Sequence, residues 1–272
     1  MRLDFNDEEI HRYSRHILLA EVGGTGQARL REASVLVAGA GGLGSPLLLY
    51  LAAAGVGRIG VADGDVVELS NLQRQIAHTT DGIGLAKVDS AAAAARALNP
   101  NVTIETCHAR ITAANALELV AGYDIICDGT DNFATRFLLA DACVLARRTL
   151  VSAAVLRFEG QLSVFRPQQG GPCYRCLYPE PPPPGLVPSC GEAGVLGAVT
   201  GVMGTLQATE VLKEILGIGE TLAGRVLIWD ALATRFRTVR LRPDPACAAC
   251  GPNALLHDLS AHAGMEDPDC GI

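Results

Sequence analysis

Two sets of residues are spaced for chemistry. The first is sulfur. Cys173-Tyr174-Arg175-Cys176 and Cys247-Ala248-Ala249-Cys250 are CxxC pairs separated by 70 residues. Each CxxC turn aims two thiolates at one point, and two such turns complete the tetrahedral four-sulfur site that holds structural zinc. A redox CxxC opens a helix after a strand, and neither pair is expected to do so. The second set suits a nucleotide. Gly39-Ala40-Gly41-Gly42-Leu43-Gly44 follows an apolar run, and Asp63 lies nineteen residues beyond Gly44. Glycines allow close backbone approach to phosphate, a helix N-terminus favours the anion, and an acid at that distance accepts from ribose hydroxyls. No GxxxxGK[ST] stretch is present, which excludes a P-loop.

The loop Ser70-Asn71-Leu72-Gln73-Arg74-Gln75 narrows the ligand. A dinucleotide enzyme has no general need for an arginine just beyond its ribose acid. A triphosphate does, because charge developing on a leaving pyrophosphate must be neutralised. Lys87 opens the next predicted helix, within reach of the same phosphates. It is one of only two lysines against twenty arginines, which suits a compact point charge. In Asp128-Gly129-Thr130-Asp131-Asn132, at a strand end, Asp131 is placed to hold Mg²⁺ against phosphate oxygens and Asn132 to cap a helix.

The elements that must position these residues alternate. Strands are expected at Ser34–Gly39, Arg58–Ala62, Val102–Cys107, Asp124–Asp128 and Thr149–Val155. Helices are expected at Ser45–Ala54, Leu85–Leu98, Thr112–Ala121 and Asn132–Ala146. This pattern gives an α/β fold, a Rossmann-like, mostly parallel sheet with helices on both faces. Gln161–Phe165, Arg225–Trp229 and Thr234–Leu241 read as an antiparallel C-terminal extension, with a long apolar helix within Val195–Leu216. The organisation is one unit over 1–251, with a nucleotide-binding part at about 30–155 and a part holding both CxxC pairs at about 156–251. A loose tail is expected over 252–272.

The 272 residues are 49% hydrophobic with net charge −7, enough for a large core and without the basic excess of a nucleic-acid binder. Nine cysteines, an odd number, exclude a fully paired disulfide framework. No secretory signal or membrane span is evident, so a reduced, cytoplasmic protein is expected.

The ordered motifs RYSRH, GAGGLG, SNLQRQ, TDN, CYRC and the second CxxC resemble the MoeB/ThiF-type family of ubiquitin-like-protein-activating adenylyltransferases, from about Asp7 to Gly251. The resemblance implies a homodimer that uses Mg-ATP to adenylate the C-terminal glycine of a small sulfur carrier ending in Gly-Gly, in molybdopterin, thiamine or related thiolation chemistry. Carried over by motif, Gly39, Gly41, Gly42 and Gly44 contact ATP, and Asp63 holds its ribose. Ser70, Asn71, Gln73, Arg74 and Lys87 face the nucleotide, with Gly129, Thr130 and Asn132 around the Mg²⁺ and catalytic position, Asp131. Arg15, in Arg12-Tyr13-Ser14-Arg15-His16, matches an arginine that reaches the partner subunit's ATP. Cys173, Cys176, Cys247 and Cys250 match the zinc ligands. Cys190 resembles the thiol that links to the activated carrier in the thiamine branch. Gly129 departs from the family's usual cysteine. The proline-rich Leu177–Cys190 stretch is expected to cover the carrier's tail. No fused rhodanese-like domain follows, so a separate sulfur donor is expected. The competing expectations are an NAD-dependent oxidoreductase on the same fold, a non-catalytic carrier-binding scaffold, or adenylation of a different target such as a tRNA base.

Overall fold

Strand β1 (Ser34–Ala38) is buried at every position and apolar from Val35 to Ala38, as a central strand covered on both faces must be. In the computed structural model, which describes residues 4–183, 186 and 193–264, it lies inside an eight-stranded sheet. The other strands are β2 (Arg58–Ala62), β3 (Thr103–Cys107), β4 (Ile125–Asp128), β5 (Thr149–Leu156), β6 (Glu159–Phe165), β7 (Arg225–Asp230) and β8 (Arg235–Arg240). Their order is β3-β2-β1-β4-β5-β6-β7-β8. The first five run parallel and the last three add antiparallel, as the sequence pattern implied. Strand order reverses between β1 and β4, the switch point at which such sheets open a ligand crevice.

Helices α1 (Asp7–Arg12), α2 (Ser14–Ile17) and α3 (Gly23–Glu32) precede β1. Helices α4 (Gly44–Ala54), α5 (Lys87–Leu98), α6 (Ala116–Ala121) and α7 (Phe133–Ala146) connect the parallel strands. Among the described residues, a one-turn α8 (Tyr174–Leu177) and the long α9 (Gly197–Leu216) follow. One sheet face is buried beneath α3, α4, α5 and α9, with Leu47, Leu51, Val88, Val199 and Met203 in its core. The other is buried beneath α6, α7 and α8, around Phe137, Leu139 and Phe165. Among the described residues no helix is long and apolar enough to cross a membrane.

Two helices start later than the pattern predicts, for local reasons. Before α5, Val66 forms a β-bridge to Ala86 and Val67 exchanges backbone hydrogen bonds with Gly84 and Leu85. That pairing occupies 84–86, so helical bonding begins at Lys87. Before α6, Asn115 Oδ1 accepts from the Thr112 N–H at 2.8 Å, while its amide donates to the Arg110 carbonyl at 3.0 Å. This closed turn holds 112–115 out of the helix. The segment after Gly251 also differs from the expected loose tail. As far as residue 264 it returns to the body, with Leu259 and His262 buried; residues 265–272 lie outside the described residues.

Candidate active site and metal centre

A cavity of about 820 Å³ opens at the carboxyl ends of the parallel strands, where β1 parts from β4. Its first wall is the glycine turn. Gly39 has φ +91°, a conformation side chains resist, and a Cβ on Gly44 would lie 1.8 Å from the Gly39 carbonyl oxygen. The turn therefore demands glycine at both positions. Asp63, at the end of β2, fixes its shape. Oδ2 accepts from the Ala40 N–H and Oδ1 from the Asp65 N–H, each at 2.8 Å. Burial raises the Asp63 pKa, partly offset by the Lys87 charge and the two backbone bonds. A carboxylate has about four acceptor sites, so Asp63 keeps capacity for a ligand hydroxyl. His78 supports the turn from behind. Nε2 donates to the Ala40 carbonyl at 2.9 Å and Nδ1 meets Ser90 Oγ at 3.0 Å. Burial, foremost, lowers its pKa.

Lys87 is 7% exposed and lines the cavity. Its Nζ bonds Asp65 Oδ2 at 2.8 Å, and the bridge that delays α5 is what brings it there. Arg74 lines the same cavity, its Nη1 resting on the Ser70 carbonyl at 3.2 Å. Opposite, Asp131 stands exposed at the cavity rim just before α7, and Asn132 caps that helix by accepting from the Thr135 N–H at 2.8 Å. The loop carrying Asp131 is held by a fully buried carboxylate. Asp128 Oδ1 accepts from Thr130 Oγ1 at 2.7 Å and Oδ2 from Ser152 Oγ at 2.8 Å. Arg136 forms an ion pair with Asp128 at 3.3 Å and donates to the Thr130 carbonyl at 2.6 Å. Removing one partner of such a buried pair costs about 3–5 kcal/mol, so this loop is rigidly based. From the opposite face, α9 sends Gln207 Nε2 to the carbonyls of Asp128 and Val151, each at 2.9 Å.

The two CxxC pairs meet although they are 70 residues apart. The four sulfurs lie within 4.8 Å of one another. Cys173–Cys247 and Cys176–Cys250 are both 3.5 Å apart. A tetrahedron with Zn–S bonds of about 2.3 Å requires S–S distances of about 3.8 Å, so the donor set fits a four-coordinate ion with little adjustment. Burial pushes the Cys173 and Cys250 thiols up; at Cys247 burial also opposes ionisation, but backbone hydrogen bonds from Cys250 and Ala249 together with bonds from the neighbouring sulfurs lower its pKa. The Asp244 N–H likewise donates to Cys176 Sγ at 3.4 Å. The first pair, not expected to open a helix after a strand, opens the single turn α8. Convergence of the second pair on it makes this a four-sulfur site rather than a dithiol.

Comparison with known proteins bears on this arrangement. The sequence profile of the ThiF family matches residues 13–249. The chain belongs to the ThiF family. It is 50% identical to the "Sulfur carrier protein adenylyltransferase" of Thermus thermophilus, over 97% of this chain and 98% of that protein. It is 56% identical to the "Adenylyltransferase and sulfurtransferase MOCS3" of Anopheles gambiae, over 97% of this chain and 60% of that protein. The chain thus spans about three fifths of the length of its MOCS3 relatives. Among solved structures, E. coli MccB shares the fold, with a TM-score of 0.80 at 23% identity over 93% of this chain and 75% of that one.

In this ThiF-family chain, Gly39, Gly41, Gly42, Asp63, Arg74, Lys87, Gly129, Thr130, Asp131 and Asn132 all border one cavity. Gly44 lies beneath the turn. Ser70, Asn71 and Gln73 do not line the cavity; Asn71 is buried, with Oδ1 accepting from the Glu68 N–H. Arg15 is exposed on α2, away from the cavity. That short helix is pinned by buried Tyr13, whose hydroxyl accepts from Asn99 at 2.9 Å, and by His16, 3.2 Å from Gln27. Cys190 lies outside the described residues. Sequence reasoning missed His78, Asp128, Arg136 and Gln207. For Gln207 a signal existed, since it is a lone amide on the apolar face of a long helix.

Proposed function

We propose that this chain adenylates the C-terminal glycine of a small ubiquitin-like sulfur-carrier protein, releasing pyrophosphate. The observation that carries the reading is the convergence of Asp63, Arg74, Lys87 and Asp131 on one cavity at the strand ends of a ThiF-family chain. The names of its close relatives support the same activity.

In this reading the glycine turn and the N-terminus of α4 cradle phosphates, and Asp63 accepts from ribose hydroxyls. An oxygen of the carrier's terminal carboxylate attacks the α-phosphorus of ATP. A C–O–P linkage forms as the α–β phosphoanhydride bond breaks, and the electron pair leaves on pyrophosphate. Arg74 and Lys87 neutralise that developing charge. The nucleophile comes from the carrier, so the chain's contribution is orientation and electrostatics. Asp131 would hold Mg²⁺, which when bound supplies further charge neutralisation at the phosphates. Its exposed carboxylate at the rim suits an ion that takes one or two protein ligands and keeps its waters. Cys173, Cys176, Cys247 and Cys250 would hold Zn²⁺ as a closed structural site.

Arg15 is assigned to a second copy's nucleotide, which makes the active form a homodimer. Its exposure on a pinned helix outside its own cavity supports this. Cys190 is a candidate thiol for covalent capture of the activated carrier, with sulfur delivered by a separate donor. Molybdopterin, thiamine and related thiolation pathways all use such carriers. The cluster of four cysteines is consistent with the proposed reduced, cytoplasmic setting. The test is ATP–pyrophosphate exchange dependent on a carrier ending in Gly-Gly, with NAD⁺ binding measured alongside. Exchange with a carrier supports the reading. Tight NAD⁺ binding without exchange overturns it.

A further inference from the structure

The cavity is larger than its nucleotide-facing residues account for. It continues along β6 into a compartment walled by Gln161, Ser163, Phe165, Tyr174 and Tyr178. Its remaining wall is the segment after Leu259, through His262, Ala263 and Gly264. That segment is fixed by one buried carboxylate. Asp141 on α7 is 1% exposed. His262 Nε2 donates to its Oδ2 at 2.7 Å. Arg175, between the two cysteines of the first CxxC, grips it with Nε to Oδ1 and Nη2 to Oδ2, both at 2.8 Å. The third nitrogen of the same guanidinium donates to the Pro179 carbonyl at 2.9 Å, where the proline-rich segment starts. One ion-paired node therefore ties together the four-sulfur knuckle, the start of the proline-rich segment and the final described turn of the chain.

The polar groups facing the compartment match an extended peptide. Tyr178 donates its hydroxyl to Gln161 Oε1 at 2.6 Å, which leaves the Gln161 amide N–H₂ free to donate to a main-chain carbonyl. With Nε2 committed to Asp141, His262 has Nδ1 left, and it makes no hydrogen bond among the described residues. In the neutral ring that atom accepts from a main-chain N–H. The rings of Tyr174 and Phe165, packed edge to face and backed by buried Phe137, make a stiff apolar floor. Donor and acceptor groups over aromatic rings suit the exposed main chain of a peptide without side chains, such as a Gly-Gly tail.

We propose that His262 is a substrate-contact residue for the carrier's tail, and that Asp141 is the positioning residue that holds it there. This rests on the adenylation reading above and extends the substrate site to the segment around residue 262. When His262 is replaced, Arg175 still pairs both oxygens of Asp141, and the zinc content reads whether the node holds.

The experiment compares wild type, His262→Ala and His262→Gln in carrier-dependent ATP–pyrophosphate exchange, with zinc content measured on the same samples. His262→Ala should raise the apparent KM for the carrier about three- to tenfold, the worth of one neutral hydrogen bond. The KM for ATP and the zinc content should stay at wild-type values. His262→Gln keeps a donor for Asp141 and should restore most of the carrier KM. Asp141→Asn, if it folds with full zinc, should resemble His262→Ala. A carrier KM unmoved by His262→Ala, or one that moves together with the ATP KM, overturns the proposal while wild-type exchange keeps the adenylation reading. Absence of exchange in wild type defeats that reading, and this inference with it.

Discussion

Substituting Gly44 with alanine asks whether the glycine turn does what its geometry implies. A Cβ at this position would lie 1.8 Å from the Gly39 carbonyl oxygen and 2.9 Å from its carbon, whereas real Cβ atoms essentially never approach closer than 3.0 Å. Both obstructing atoms are backbone, so the turn must open by more than an ångström. Overpacking of this kind costs about 1–3 kcal/mol, a fall in Tm of several degrees at roughly 2–4 °C per kcal/mol. The effect on activity should be larger, because a misplacement of about 1 Å costs on the order of 100-fold in rate. Gly129→Ala is the matched control. Its Cβ would sit 3.3 Å from the Gly44 nitrogen and 3.4 Å from the Ala38 oxygen, with no left-handed φ to strain, and it stands where the family usually carries the larger cysteine. The assay is kcat/KM for ATP in carrier-dependent exchange, with thermal denaturation alongside. Gly44→Ala should lose about 100-fold and Gly129→Ala less than about threefold. Equal behaviour of the two variants, or a wild-type kcat/KM in Gly44→Ala, would refute the reasoning.

Two further outcomes follow from the site. His78 is held neutral by burial, its folded pKa below the ordinary 6.5. A depressed pKa gives stability that is present above the unfolded value and lost as pH falls toward the folded one. Wild-type Tm should therefore drop as pH goes below about 6.5, and a His78→Gln variant should show a shallower decline; parallel Tm–pH curves would count against the assignment. Cys250→Ser should remove bound zinc and expose the remaining thiols of the cluster to a thiol reagent, since structural metal affinity is folding free energy. Metal analysis and thiol titration read this directly, and full zinc retention would speak against a four-sulfur site.

Much of this arrangement was legible in the sequence because it is locally encoded. Buried parallel strands are written as short apolar runs, and the glycine turn with Asp63 at the next strand end is a contiguous βαβ signal. The two CxxC pairs announce their convergence by chemistry alone. What could not be read are the contacts that cross the fold. Asp141 and His262 are 121 residues apart, and nothing periodic links them, so the segment beyond Gly251 looked like a tail. Asp128 and Arg136 read as unremarkable strand-end and helix residues until burial makes each the other's counter-ion. The late starts of α5 and α6 have the same origin. A bridge to Val66–Val67 and an Asn115 side-chain turn override helix propensity at sites where propensity alone would extend the helix.

The central claim is that Asp63, Arg74, Lys87 and Asp131 form one adenylation site. Its most direct test is carrier-dependent ATP–pyrophosphate exchange by wild type and Asp131→Ala, with zinc content measured on both. The account predicts exchange in the wild type, its loss in Asp131→Ala, and identical zinc. Undiminished exchange in Asp131→Ala, or no exchange in the wild type with any Gly-Gly carrier, would contradict it.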